Sequence, residues 1–187
     1  MSTRGNVIFL NNWYIEDENV GEEYFSNLSM NSEILKRSHH IYVHSDMYPS
    51  GAIADLQEFL RMDGAKHRAT DTSYLSAWFV GWKCLDMSKW TRRFGDRDFK
   101  VENCKNPSLK NFKESKDFFG IGLQREPSDW VSFSYAIAPV VSIVDDKYSY
   151  DKNSFDIYIY DGCLEKFLGK VNSETNIDKC IKADWWY

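Results

Sequence analysis

At 187 residues, with 43% hydrophobic and 16% aromatic content, the chain is long enough to bury a well-filled core as one domain over residues 1–187. Its formal charge of −5 argues against general nucleic-acid binding, which needs a Lys/Arg excess to displace counterions. The four cysteines, Cys84, Cys104, Cys163 and Cys180, show no paired zinc-ligand spacing, and no basic start leads into a long apolar run; an acidic cytoplasmic protein with reduced thiols, no signal peptide and no membrane contact is expected.

Residues 6–15 are almost continuously apolar and of β-favouring types, which predicts a strand buried on both faces. The acidic stretch 16–23 reads as a loop, and 24–35 as either a short helix or irregular chain. The segment from His39 to Gly51 then holds three of the four histidines. Ile41 and Val43 share one face of a strand there, while His40, Tyr42, His44 and Asp46 fall on the other. Pro49 fixes its own φ and biases Tyr48 away from the α region, so the strand ends in a turn.

From Pro49 onward Ile53, Leu56, Phe59 and Leu60 recur at helical steps, predicting an amphipathic helix that stops near Gly64. Asp71 or Thr72 can cap a second helix with Tyr74, Leu75, Trp78, Phe79, Trp82 and Leu85 along one face, and Trp78 and Trp82 are expected in the core. Residues 88–118 are charged, contain Pro107 and show little periodicity, which predicts an irregular surface excursion with at most one short helix.

The last third returns to strands. Residues 120–124 read as one, and 130–137 as another that sends Val131, Phe133, Tyr135 and Ile137 to the core. Pro139 interrupts it, and 140–144 continues it as a bent or bulged strand. Residues 155–160 and 163–171 make a hairpin in which Asp161-Gly162 forms a two-residue type I′ turn. The terminal Trp185-Trp186-Tyr187 is expected to dock on the core. The expected fold is α+β: a mostly antiparallel sheet carrying two principal helices, in the order strand-strand-helix-helix-strand-strand.

Ser2-Thr3-Arg4 ahead of the first strand, followed by Tyr42-x-His44-x-Asp46-x-Tyr48-Pro49-x-Gly51, resembles a family of small phage and bacterial proteins. Members begin Met-Ser-Thr-Arg and carry a His-x-Asp-Gly-Tyr-Pro-x-Gly element between a strand and a helix. The likeness covers about residues 2–82, with Met47 in the place of the family's glycine, a change that bears on the backbone shape of the turn. It implies phage descent and no particular activity.

Three functions fit these residues. The first is a cytoplasmic accessory protein that interferes with a host process by binding a host protein or other macromolecule, or a small nucleotide-like ligand. Arg4, His40, Tyr42 and Tyr48 are its candidate binding residues; Trp78, Trp82 and Trp130 can add stacking, and Arg37 and Arg68 can meet phosphate. The second is an N-terminal-nucleophile hydrolase, whose strand and helix order the chain looks like. Removal of Met1 would leave Ser2 with its own amine as general base, and His44 and Asp46 would complete the catalytic set. The third is a metal-dependent enzyme, because His40, His44 and Asp46 share a strand face and combine imidazole with carboxylate. A structural His44–Asp46 hydrogen bond that buttresses the turn explains the same pair more simply. No cofactor is implied.

Overall fold

The computed structural model describes residues 3–11, 25–30, 32–44, 47–95, 120–144 and 147–176, without the side chains of 85–95 and 141–153. A six-stranded sheet organises them, built from β1 (Gly5–Phe9), β2 (His39–Val43), β3 (Ile121–Gln124), β4 (Phe133–Val144), β5 (Lys147–Asp161) and β6 (Lys166–Asn172). The spatial order is β3-β2-β1-β4-β5-β6. Every neighbouring pair is antiparallel except β1 and β4. Four helices complete the set: α1 (Glu33–Lys36), α2 (Pro49–Leu60), α3 (Asp63–His67) and α4 (Thr72–Gly95).

β1 is buried at every position, as its almost continuously apolar sequence predicts, because it lies inside the sheet with layers over both faces. The strand is shorter than the expected 6–15. It ends at Phe9, after which the Leu10 N–H donates to Ile137 O at 2.9 Å and the Asn11 N–H to Ser38 Oγ at 3.3 Å. Residues 12–15 lie outside the described residues.

The period-2 alternation of each strand divides the interior in two. Val7, Phe9, Ile41, Val43, Phe133, Tyr135, Ile137 and Ile157 face α2 and α4, which lay Ile53, Leu56, Phe59, Leu75 and Phe79 on them. The rings of Phe9, Phe59 and Phe79 meet edge to face, with centroids 5.3 to 6.3 Å apart. α4 starts at a side-chain cap, with Asp71 Oδ1 accepting the Tyr74 N–H at 3.0 Å and the Ser73 hydroxyl at 2.8 Å. Between the two long helices Lys83, nearly buried, pairs with Asp55.

On the other face Ile8, Leu10, Ala136, Ala138, Tyr158 and Tyr160 are covered by Phe25, Leu28, Ile34 and Leu35. Among the described residues this cover consists of 25–30 and α1, and one bond anchors it deeply: the Tyr160 hydroxyl donates to Phe25 O at 2.5 Å. The link 125–132 crosses this face as well. β3 and β4 both run parallel to β1, so the link must return along the sheet, and Asn6, on the same face as Ile8, holds it there.

The α+β class and the mostly antiparallel sheet match the sequence reading, but the expected element order does not describe the chain. α1 intervenes between the first two strands, α3 separates the long helices, and four strands follow them. α2 stops at Leu60 rather than near Gly64, which instead sits in α3 where a Cβ would collide with the Trp78 ring. α4 runs on to Gly95, so the first part of the expected excursion is helical; residues 96–119 and the Trp185-Trp186-Tyr187 tail lie outside the described residues. β4 passes through Pro139 with a register shift at Pro139/Val140, the expected bulge.

The hairpin of β5 and β6 forms, with a wider turn than the expected type I′. Asp161 pairs with Lys166 across residues 162–165, where Gly162 and Leu164 take φ of 58° and 61°. Two interactions favour the wider loop. The Glu165 N–H donates to Asp161 O at 3.1 Å, and the Gly162 N–H donates to Ser132 O at 2.8 Å, tying the hairpin to the start of β4.

Candidate functional site

Strand alternation puts His40 and Tyr42 on the face opposite α2 and α4, beside Ile8 and Asn6 of β1 and Gln124 and Gly122 of β3. His44 continues the line, its N–H donating to Gly120 O at 2.9 Å. The Tyr42 hydroxyl lies 2.8 Å from His44 Nδ1 at the solvent boundary, and the rings stand edge to face at 5.9 Å. With the His44 proton on Nε2, the hydroxyl donates to Nδ1. Gly120 is required here twice over: its φ is +58°, and a Cβ would strike His44 Cβ.

Arg4 joins this end of the sheet. Its side chain is exposed, its carbonyl accepts the Ser132 N–H at 3.0 Å, and one step beyond the Gly5–Val43 pairing it falls across from His44. The adjoining Thr3 carbonyl accepts the Met47 N–H at 3.2 Å. Met47 itself is buried and fills the space over Gly5, where a Cβ would come within 2.7 Å of its own. Met47 is therefore a core residue where the start of β1 meets the chain that follows β2.

Beneath the exposed residues is a polar node that sequence reading missed. Asn6 Nδ2 donates to Ser128 O at 3.0 Å while Asn6 Oδ1 accepts the Ser128 N–H at 3.1 Å, the paired bonding of a strand made by one side chain. Ser134 Oγ lies 3.3 Å from Asn6 Nδ2 and donates to Gly162 O at 2.8 Å. Cys163 Sγ completes the node, 3.8 Å from Asn6 Nδ2 and 3.4 Å from Met30 Sδ. Burial pushes the Cys163 thiol up to about 11, with nearby Asp129 and Glu165 adding to the shift, so it is a protonated thiol and a poor nucleophile at neutral pH. A lone Asn amid the apolar run 6–10 was the available signal for this node.

The other candidates are dispersed. His40 is 3% exposed, with Nε2 2.8 Å from Leu35 O, and burial holds its pKa below the ordinary histidine value. It sits under α1, away from the exposed Tyr42–His44 pair. Tyr48 lies on the helix-bearing side, its ring 6.3 Å from Phe133. Trp82 packs against Phe59 and Phe79 as expected of a core residue. Trp78 departs from the core role: it is 42% exposed and stacks at 5.5 Å on Tyr74, because Leu75 and Phe79 already occupy the inward positions of α4. Arg68 lies 4.8 Å over the Tyr74 ring, and Trp130 is 82% exposed on the link 125–132.

Ser2 and Asp46, on which the hydrolase and metal readings depend, lie outside the described residues. Among the described residues no three His, Cys, Asp or Glu side chains converge as metal ligands. No described helix is long and apolar enough to cross a membrane. No protein-family model matches the chain, and neither a curated protein nor a solved structure matches it.

Proposed function

We propose that this chain is a cytoplasmic binding protein of phage descent that interferes with a host process by holding a host protein. The observation that carries the reading is Trp130, 82% exposed on a link anchored at Ser128 by Asn6 and joined to Arg4 through Ser132, at the same sheet end as the Tyr42–His44 pair. Trp, Tyr and Arg are the residue types that dominate binding hot spots, and anchored backbone lowers the entropy lost on docking. An enclosed nucleotide-like ligand is less favoured. Of the aromatics available to stack on a ring, Tyr42 meets His44, Tyr48 meets Phe133, Trp78 meets Tyr74 and Trp82 meets Phe79, while Trp130 stands exposed. The Ser2 nucleophile and the His/Asp metal site remain alternatives that no described contact favours.

The test is capture from a bacterial lysate followed by binding of the purified captured protein. Trp130→Ala is expected to weaken binding by about 30-fold or more, the loss of a central aromatic anchor worth about 2 kcal/mol, with an unchanged circular dichroism spectrum. Equal binding by wild type and Trp130→Ala would overturn the assignment of this surface.

A further inference from the structure

His40 poses a problem that the binding surface does not resolve. Its imidazole is sealed between β2 and the cover, and Nε2 donates to Leu35 O at 2.8 Å, which defines the neutral tautomer with Nδ1 unprotonated. Nδ1 is buried and has no hydrogen-bond partner among the described residues. Buried polar atoms are almost always paired, so this one marks a strained position. A proton added there would create a second buried N–H donor and a buried charge, both without an acceptor.

The charged surroundings do not offset that cost. Burial opposes the added charge most strongly; the bond to the Leu35 carbonyl favours it, His39 on the same strand disfavours it, and Glu126 on the link 125–132 favours it, and the balance stays with the neutral ring. α1 contributes the Leu35 carbonyl, an exposed Glu33–Lys36 pair, and Arg37 at its end. The residues aligned with His40 on β1 and β3 are the uncharged Ile8 and Gln124. What the imidazole fastens is the cover itself: Leu35 belongs to the same cluster as Phe25, Leu28 and Ile34.

We propose that His40 is an acid-sensitive latch, holding residues 25–30 and 32–38 on the sheet while neutral and releasing them when Nδ1 takes up a proton. The sign follows from linkage. Once the layer lifts, the imidazole returns to its ordinary pKa of about 6.5, so the lifted form binds the proton that the closed form refuses. Below about pH 6.5 the lifted form gains up to about tenfold per pH unit, until the closed form also protonates. Release would bare Ile8, Ala136 and Tyr158, an apolar strip on the face that also carries Tyr42.

Amide hydrogen exchange of peptides covering 25–38 and 49–60, compared at pH 7.5 and 5.0 after correction for intrinsic rates, tests the latch. Wild type is expected to open at least about tenfold more often in 25–38 at pH 5.0, with 49–60 unchanged. His40→Gln keeps an amide donor toward Leu35 O and cannot titrate, so its 25–38 protection should be the same at both pH values. Nitrogen shifts of the wild-type His40 ring supply a readout that does not depend on a folded variant: protonation and loss of 25–38 protection should follow one curve. Unchanged wild-type protection, an equal acid loss in His40→Gln, or a ring that protonates between pH 7.5 and 5.0 with the layer still in place would each overturn the proposal.

Discussion

On the helix-bearing face of the sheet, Phe9, Phe59 and Phe79 interlock beneath two long helices, and Ile53, Leu56 and Leu75 fill around them. On the opposite face a four-residue helix and residues 25–30 cover Ile8, Ala136 and Tyr158, and the exposed rim beyond carries Tyr42, His44 and Arg4. The first face is held by apolar area, which is non-directional and shared among many contacts. The second adds to its own apolar cluster a few directed bonds: Asn6 to Ser128, Tyr160 to Phe25, and His40 to Leu35. The candidate residues Tyr42, His44 and Arg4 lie on this face.

Substitutions on each face should separate these two modes. The largest effect is expected from Phe79→Ala, which empties a ring-sized volume between α4 and β1 and should cost about 3–5 kcal/mol of unfolding free energy in a urea titration. A loss under 1 kcal/mol would show that the helix-bearing core is looser than its ring contacts imply. Asn6→Ala comes next at about 2 kcal/mol, because it leaves both the Ser128 N–H and C=O without their partner. Its signature is local: hydrogen exchange should rise in 125–132 before it rises in α2. Tyr160→Phe removes only the bond to Phe25 O and should cost about 1 kcal/mol, with faster exchange confined to the cover. Uniform exchange increases in either variant would erase the distinction between the faces.

Much of this was legible because it depends on local chemistry. Alternation around Ile41 and Val43 divided β2 into an apolar and a polar side, helical steps from Ile53 to Leu60 outlined α2, and Asp71 announced the start of α4. The candidate site was only partly legible. Arg4, Tyr42 and His44 do share one end of the sheet, but His40 was read with them and in fact turns under Leu35. Sequence alternation assigns a side chain to a face and says nothing about what covers that face. Trp78, expected in the core, was misjudged for the same reason, since an already filled layer turns its ring outward.

The sequence by itself determined the α+β class, the mostly antiparallel sheet and which side chains of β2 share a face, because φ/ψ preference and hydrophobic period act over a few residues. Only the tertiary structure decided that β4 joins β1 in parallel, that Asn6 grips Ser128, that the hairpin widens to reach Ser132, and that one histidine is buried while another is exposed. Those outcomes depend on residues far apart in the chain meeting across a sheet, and no local preference encodes the meeting.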